Sequence, residues 1–150
     1  MQDGIQTEIT VNAPIERVWD ALTDYRQFGA WFRLALTGPF ALGAVTEGRK
    51  TEPGHEEHPF WAVAVAVAME VPTLFAFDWP STSEVTRELR GPGRTTRVEF
   101  RLEATPGCTQ ISLSEAGFAA LPPGPASHKL RGNATGWDIR CERIRVYVDG

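Results

Sequence analysis

The C-terminal segment places the tightest constraint on what this chain can fold into. Leu130, Ala134, Trp137, Cys141, Ile144 and Val148 recur at spacings of four, three, four, three and four. That is one unbroken apolar stripe on a helix of 3.6 residues per turn. The spacing predicts a helix from about Ser127 to Val148, roughly 33 Å long at 1.5 Å per residue. Gly132 and Gly136 lie inside it and cost about 1 kcal/mol each relative to alanine, a cost compatible with close approach to a sheet or a ligand. The segments before it read mostly as strands, and this is the one long helix available to cover them.

Those strands show in the period-two alternation of apolar and polar residues. Ile5, Thr7, Ile9 and Val11 share one face. Val98, Phe100 and Leu102 alternate with Arg97, Glu99, Arg101 and Glu103. Pro106-Gly107 then turns the chain into a partner strand carrying Thr109, Ile111, Leu113 and Glu115 on one face. Between Phe60 and Val71 the valines Val63, Val65, Val67 and Val71 share a face with Met69. The opposite face is a run of alanines, Ala62, Ala64, Ala66 and Ala68, which suggests close packing by something bulky. Leu74 to Trp79 points Phe75, Phe77 and Trp79 one way. Phe32 to Leu36 and Ala44 to Lys50 are shorter candidates. After the first strand, Pro14 suits a first helical position, and Ile15, Val18, Trp19 and Leu22 follow helical spacing to about Thr23-Asp24. A second short helix is expected from Tyr25 to about Trp31. The proline-rich stretch Gly117 to Ser127 reads as a loop, since no second core follows it.

The sum is an α+β fold: a curved antiparallel sheet wrapped around a long C-terminal helix, with two short helices after the first strand. One helix rarely fills a strongly bent sheet, so an apolar cavity is expected between them. The 150 residues fit a single domain, 1–150, with a sizeable core. A net charge of −4 gives no basic excess for nucleic acid. No apolar run approaches the roughly 20 residues of a membrane span. The N-terminus MQDGIQTEIT has no signal-peptide pattern. The two cysteines, Cys108 and Cys141, show no metal spacing and read as reduced thiols of a cytoplasmic protein. Five tryptophans and eight phenylalanines supply large flat apolar surfaces that can line a cavity or simply fill a core.

The run Val11-Asn12-Ala13-Pro14-Ile15-Glu16-Arg17-Val18-Trp19-Asp20-Ala21-Leu22-Thr23-Asp24, with Trp31 shortly after, resembles the opening of the START-like (SRPBCC) superfamily. The pattern is most similar to the branch named for the activator of heat-shock-protein-90 ATPase. Gly107 to Leu113, running on through Glu115-Ala116-Gly117-Phe118, is similar to that branch's penultimate hairpin strand. Gly136-Trp137 is similar to its glycine–tryptophan pair on the last helix. The resemblance implies a helix-grip fold enclosing a tunnel or pocket. It also implies the superfamily's range of ligands: lipids, sterols, polyketides and other apolar or aromatic molecules.

On this reading the cavity is lined by Trp31, Trp61, Met69, Phe77, Trp79, Phe100, Phe118 and Trp137. Four residues are candidates for polar contact with a ligand. His55 and His58 lie in Gly54-His55-Glu56-Glu57-His58-Pro59, where the spacing of three and the flanking Pro53, Gly54 and Pro59 argue against a zinc helix. No metal or other cofactor is expected. Glu115 is in phase with Ile111 and Leu113, so it faces inward if they do. The bland alternative, that the strand ends first or a bulge turns it out, is favoured for a carboxylate. Arg140 flanks the stripe of the last helix. Such arginines usually reach out to solvent; otherwise it anchors a ligand carboxylate. The leading function is binding of a small apolar or aromatic molecule, by a monomer or homodimer. One alternative is a cyclase, dehydratase or hydrolase using an inward acid or base. The other is a chaperone-interacting module, by analogy with the branch's eukaryotic namesake.

Overall fold

The first strand alternates as its sequence requires. In β1 (Gly4–Val11) Ile5 and Val11 are buried while Gln6, Glu8 and Thr10 are exposed. The structure, a computed structural model, describes residues 4–51, 61–80, 95–117 and 125–149, with side chains for 4–48, 51, 65–79, 96–117 and 136–149. After β1 come α1 (Ile15–Thr23), α2 (Tyr25–Phe32), β2 (Leu34–Leu36), β3 (Val45–Lys50), β4 (Trp61–Glu70), β5 (Leu74–Pro80), β6 (Thr95–Thr105), β7 (Cys108–Ala116) and α3 (Pro125–Asp149).

Pro14 sits one position earlier than expected. It precedes α1 in an extended conformation, and its carbonyl accepts from the backbone N–H groups of Arg17 at 3.1 Å and Val18 at 3.2 Å. α1 buries Val18, Trp19, Ala21 and Leu22. Asp24 then starts α2, its Oδ1 accepting from the Arg26 N–H at 2.9 Å, which satisfies one of the helix's orphan donors. Phe32 belongs to α2, not to the following strand. Arg33 closes the helix at φ 68° in the left-handed region, and the chain doubles back so tightly that a Cβ on Gly29 would lie 2.3 Å from the Leu34 carbonyl oxygen.

The seven strands form one antiparallel sheet in the order β1-β7-β6-β5-β4-β3-β2, curled into a half-barrel. Its inner face carries Phe75, Phe77, Val98, Phe100, Leu102, Ile111 and Leu113, all buried. The β4–β5 ladder shifts register between Ala66 and Ala68. This bulge corrects the expected grouping of Met69 with the valines. Ala66 pairs with Phe77 and Met69 pairs with Phe75, so Ala66 and Met69 both belong to the inner face. Val67 and Val71 lie on the outside, 37% and 73% exposed. One extra residue flips every later side chain to the opposite face, and strict alternation cannot show it.

α3 crosses the inner face, and Trp137, Cys141, Ile144 and Val148 are buried as the stripe predicts. It starts two residues earlier than expected, at Pro125. Its last residue, Asp149, accepts from the Asn12 N–H at 3.0 Å, beside the end of β1. Arg17 of α1 donates to the carbonyls of Tyr147 at 3.0 Å and Val148 at 3.3 Å.

The antiparallel order gives the sheet two unlike ends. At one, β4 joins β5 through residues 71–73 and β6 joins β7 through residues 106–107. At the other, the ends of β3 and β4, of β5 and β6, and of β7 are joined to the next element by residues 51–60, 81–94 and 117–124. The first end is closed by short turns; the second carries every long connection between β3 and α3.

Candidate functional site

β7 runs without a bulge to Ala116, pairing Glu115 with Ile5 on one side and with Val98 on the other. The phase set by Ile111 and Leu113 therefore holds, and Glu115 points inward with no exposed surface. The expected end of the strand, or outward turn, does not occur. The acid is tolerated because donors converge on it from three elements. The indole N–H of Trp79, on β5, donates to Oε2 at 2.7 Å, and the Thr96 hydroxyl, on β6, donates to the same oxygen at 2.5 Å. The indole N–H of Trp137, on α3, donates to Oε1 at 2.8 Å. The Trp79 indole also lies 3.0 Å from the Thr96 oxygen.

An indole nitrogen can only donate, so Glu115 must accept on both oxygens. One carboxyl thus spans two rings that are themselves stacked, with centroids 5.6 Å apart and planes 27° from parallel. Arg140, one turn beyond Trp137 on α3, does not reach straight out to solvent. Its guanidinium lies over Phe32 at 4.4 Å, over Trp137 at 5.3 Å and over Trp79 at 5.8 Å. Such contacts contribute about 0.5–1 kcal/mol each where partly exposed. A Cβ on Gly136 would make only ordinary contact with the Arg140 guanidinium, at 3.4 Å, so no close approach requires a glycine there.

The other expected lining residues divide into three groups. Trp31, Phe77 and Phe100 are buried among rings: Trp31 donates from its indole to the Ala21 carbonyl at 2.8 Å, and Phe77 and Phe100 pack at 6.3 Å. Phe77 touches Trp79, and Phe100 touches Trp137, so these two stand directly behind the carboxyl-bridged pair. Met69 is partly buried against the same core, further along β4. Trp61 opens β4 in register with Arg49, but its side chain, together with Phe118, His55 and His58, lies outside the described residues.

Three features escape the sequence reading. Thr96 shares the phase of Val98 and Phe100, so alternation alone could have placed it inside. Phe32 forms the floor beneath Arg140. Thr46 on β3 is 4% exposed, and its hydroxyl has no hydrogen-bond partner among the described residues, a condition that costs about 1–3 kcal/mol when left uncompensated. Separately, a groove of about 370 Å³ runs between α2 and α3, lined by Ala30, Trp31, Arg33, Glu142, Arg143, Val146 and Tyr147. Among the described residues no group of three or more His, Cys, Asp or Glu is placed to hold a metal ion. None of their helices is long and apolar enough to cross a membrane.

Residues 12–149 match the family described as Activator of Hsp90 ATPase homolog 1-like protein. No curated protein matches the chain. Solved structures do. DynU16, a protein of the dynemicin biosynthetic locus, superposes with a TM-score of 0.73 at 21% identity, covering 99% of this chain and 48% of its own. The chain thus spans about half the length of that neighbour. MLL2253 from Mesorhizobium loti gives a TM-score of 0.76 at 18% identity, covering 97% and 96% of the two chains. The Aha1 dimer from Colwellia psychrerythraea gives 0.73 at 12%, covering 99% and 97%. At these identities the likeness is one of fold. The chain belongs to the Activator of Hsp90 ATPase homolog 1-like family, and its fold is the helix-grip fold of the START-like (SRPBCC) superfamily.

Proposed function

We propose that this domain binds a small apolar or aromatic molecule between the inner face of the sheet and α3, at the end where Glu115 bridges Trp79 and Trp137. The observation that carries this reading is the bridge itself. A fully buried carboxyl is a poor way to stabilise a core, because apolar side chains of the same volume do as well or better. It is a good way to fix two indoles at a set angle. A fixed aromatic wall loses little conformational freedom when a ligand stacks on it. Trp79 and Arg140 remain partly exposed, so the wall is not sealed within the core. Binding would draw on about 25 cal/mol per Å² of apolar surface removed from water, with Arg140 positioned to meet a polar or anionic ligand group. Trp61, Phe118, His55 and His58 complete the proposed lining. The chain is taken to act as a single domain of the cytoplasm, monomeric or homodimeric.

A thermal-shift screen of aromatic and polyketide-like compounds tests the reading, paired with native mass spectrometry of gently purified protein. A ligand at a hundred times its Kd should add about 2.7 kcal/mol of stability. Trp79→Ala or Arg140→Ala should lower the affinity of the same compound. No shift across the screen and no co-purifying mass would refute it.

An acid–base role for Glu115 in a cyclase, dehydratase or hydrolase is the alternative. Trp79, Thr96 and Trp137 already donate to its oxygens, so a substrate proton would compete with those donors for the carboxyl. A chaperone-contact role would use the outer surface instead. Retention of the protein on the immobilised chaperone would favour it over binding in the interior.

A further inference from the structure

The core accounts for one face of α3 and leaves the opposite face unexplained. Trp137, Cys141, Ile144 and Val148 are buried against the sheet. Ile139 and Val146 are 51% and 61% exposed. At about 100° per residue, both point within about 20° of straight away from that buried stripe. Both are β-branched, and such residues are poorer helix formers than the straight-chain ones that suit a solvated face. They stand about 10 Å apart along the axis. With Glu142 and Arg143 between them they make up the i, i+3, i+4, i+7 set into which a facing helix inserts a side chain. The two ends of this ridge differ. The groove between α2 and α3 is lined by Val146, with Trp31 and Ala30 across from it, while Ile139 lies outside the groove. One end therefore projects and the other is recessed.

We infer that this face of α3 docks a second copy of the chain, helix against antiparallel helix, about a two-fold axis midway between Glu142 and Arg143. A two-fold contact uses one patch on both copies, so the patch must be complementary to itself. Turning α3 end for end about that point sets Ile139 of each copy over Val146 of the other, at the mouth of the groove. The charges fit the same operation. Glu142 and Arg145 share one flank of the ridge, and a two-fold of this kind brings like flanks together. Glu142 accepts from Arg145 of its own helix at 3.0 Å. In the pair it also comes within about 3 Å, measured along the axis, of the second copy's Arg145. Two ion pairs thus close into a ring of alternating charge. Arg143 falls on the other flank and faces its own copy there, a repulsion that solvent and salt screen and that keeps the dimer weak. A second copy fits better than an unrelated partner because projection, recess and charge pair all recur on one surface. The contact is independent of the interior binding site.

Sedimentation equilibrium of the full chain from about 10 μM to about 1 mM tests the inference. The expected result is a monomer–dimer equilibrium with a micromolar dissociation constant, in keeping with a small interface. Ile139→Glu and Val146→Glu each put a charge into the contact and should each weaken the dimer about tenfold or more. Both positions are exposed, so the circular dichroism and melting temperature of the monomer should not change. Glu142→Arg gathers four arginines on the shared flank and should also weaken the dimer about tenfold; adding Arg145→Glu in the same chain should restore the wild-type affinity to within about threefold. A wild type that is monomeric at about 1 mM overturns the inference. So does a dimer indifferent to both Ile139→Glu and Val146→Glu, because the copies then meet through another face. A dimer weakened by Glu142→Arg but not recovered by the charge exchange overturns the two-fold antiparallel arrangement.

Discussion

Replacing Glu115 with glutamine is the sharpest test of the carboxyl bridge, because it keeps the size and shape of the side chain and changes its charge and hydrogen bonding. The two indoles reach different oxygens, Trp79 to Oε2 and Trp137 to Oε1. A glutamine keeps one of those acceptors and turns the other into an NH₂ group. Whichever way the amide points, one indole N–H faces a donor. The loss is one hydrogen bond accepted by the carboxyl, up to about 3 kcal/mol net, with the Thr96 oxygen, 3.0 Å from the Trp79 indole, left as that donor's other acceptor. Glu115→Gln should therefore destabilise by about 3 kcal/mol. At roughly 2–4 °C per kcal/mol for a chain of this length, the melting temperature should fall by about 10 °C. Urea unfolding followed by far-ultraviolet circular dichroism measures this without relying on tryptophan emission. Trp79→Phe supplies the control. With that donor gone, the amide can turn its oxygen to Trp137 and its NH₂ to the Thr96 hydroxyl. Glu115→Gln should then cost only about 1–2 kcal/mol, a coupling of about 2 kcal/mol in a double-mutant cycle. A single-variant cost below about 0.5 kcal/mol, or strict additivity with Trp79→Phe, would show that the carboxyl does not hold the indoles.

Three further perturbations probe the frame around that site. Burial pushes the Cys141 thiol up to about 11, with the nearby Asp138 charge adding to the effect; native protein at pH 8 should be alkylated at half-buried Cys108 well before Cys141, as peptide mapping would show, and comparable rates would contradict it. Because that value is raised from 9.0, the stability it contributes is complete below pH 9 and lost as pH climbs through 11, about 2 kcal/mol by linkage, and a Cys141→Ser variant should show a smaller alkaline loss. The backbone N–H of Arg26 holds the Asp24 carboxyl below its ordinary value, so its contribution is present above about pH 4 and fades as pH falls through the lowered value; Asp24→Ala should cost about 1 kcal/mol at neutral pH and flatten the acid limb, measured by urea midpoints. Gly29→Ala should cost about 2–3 kcal/mol, the upper range for overpacking, since its Cβ would meet a backbone oxygen at 2.3 Å that no side-chain rotation can move; a neutral effect would mean that the α2–β2 reversal is loosely held.

The fold was legible wherever one period governed a whole element. The stripe through Trp137, Cys141, Ile144 and Val148 and the alternation through Val98, Phe100 and Leu102 both describe what is buried. Legibility failed where a period was interrupted or where a partner was remote in sequence. Met69 was grouped with the wrong residues because a bulge adds a residue without leaving a mark in composition. Glu115 was the harder case, since two signals conflicted: alternation placed it inside and residue type placed it outside. Alternation prevailed because Trp79, Thr96 and Trp137, from three other elements, bring their donors to it. Sequence shows that a carboxylate is in phase with a core, but not that three donors will be waiting. The surroundings of Arg140 were illegible for a related reason, its aromatic floor being supplied in part by Phe32 and Trp79, from α2 and β5.

The unlike ends of the sheet give a physical reason why relatives share this fold at 12–21% identity. At the short-turn end, Gly107 adopts φ 73° in the β6–β7 turn, and Thr109 donates to the Ala13 carbonyl at 2.8 Å. Changes there act on register and on helix docking. At the other end the strands are joined by residues 51–60, 81–94 and 117–124, and added loop length costs only about 0.6 kcal/mol per doubling. Substitutions there leave the ladders intact. Glu115, Trp79 and Thr96 sit on the boundary, inside the ladders but toward that end, and a family name fixes the scaffold more firmly than it fixes those three residues.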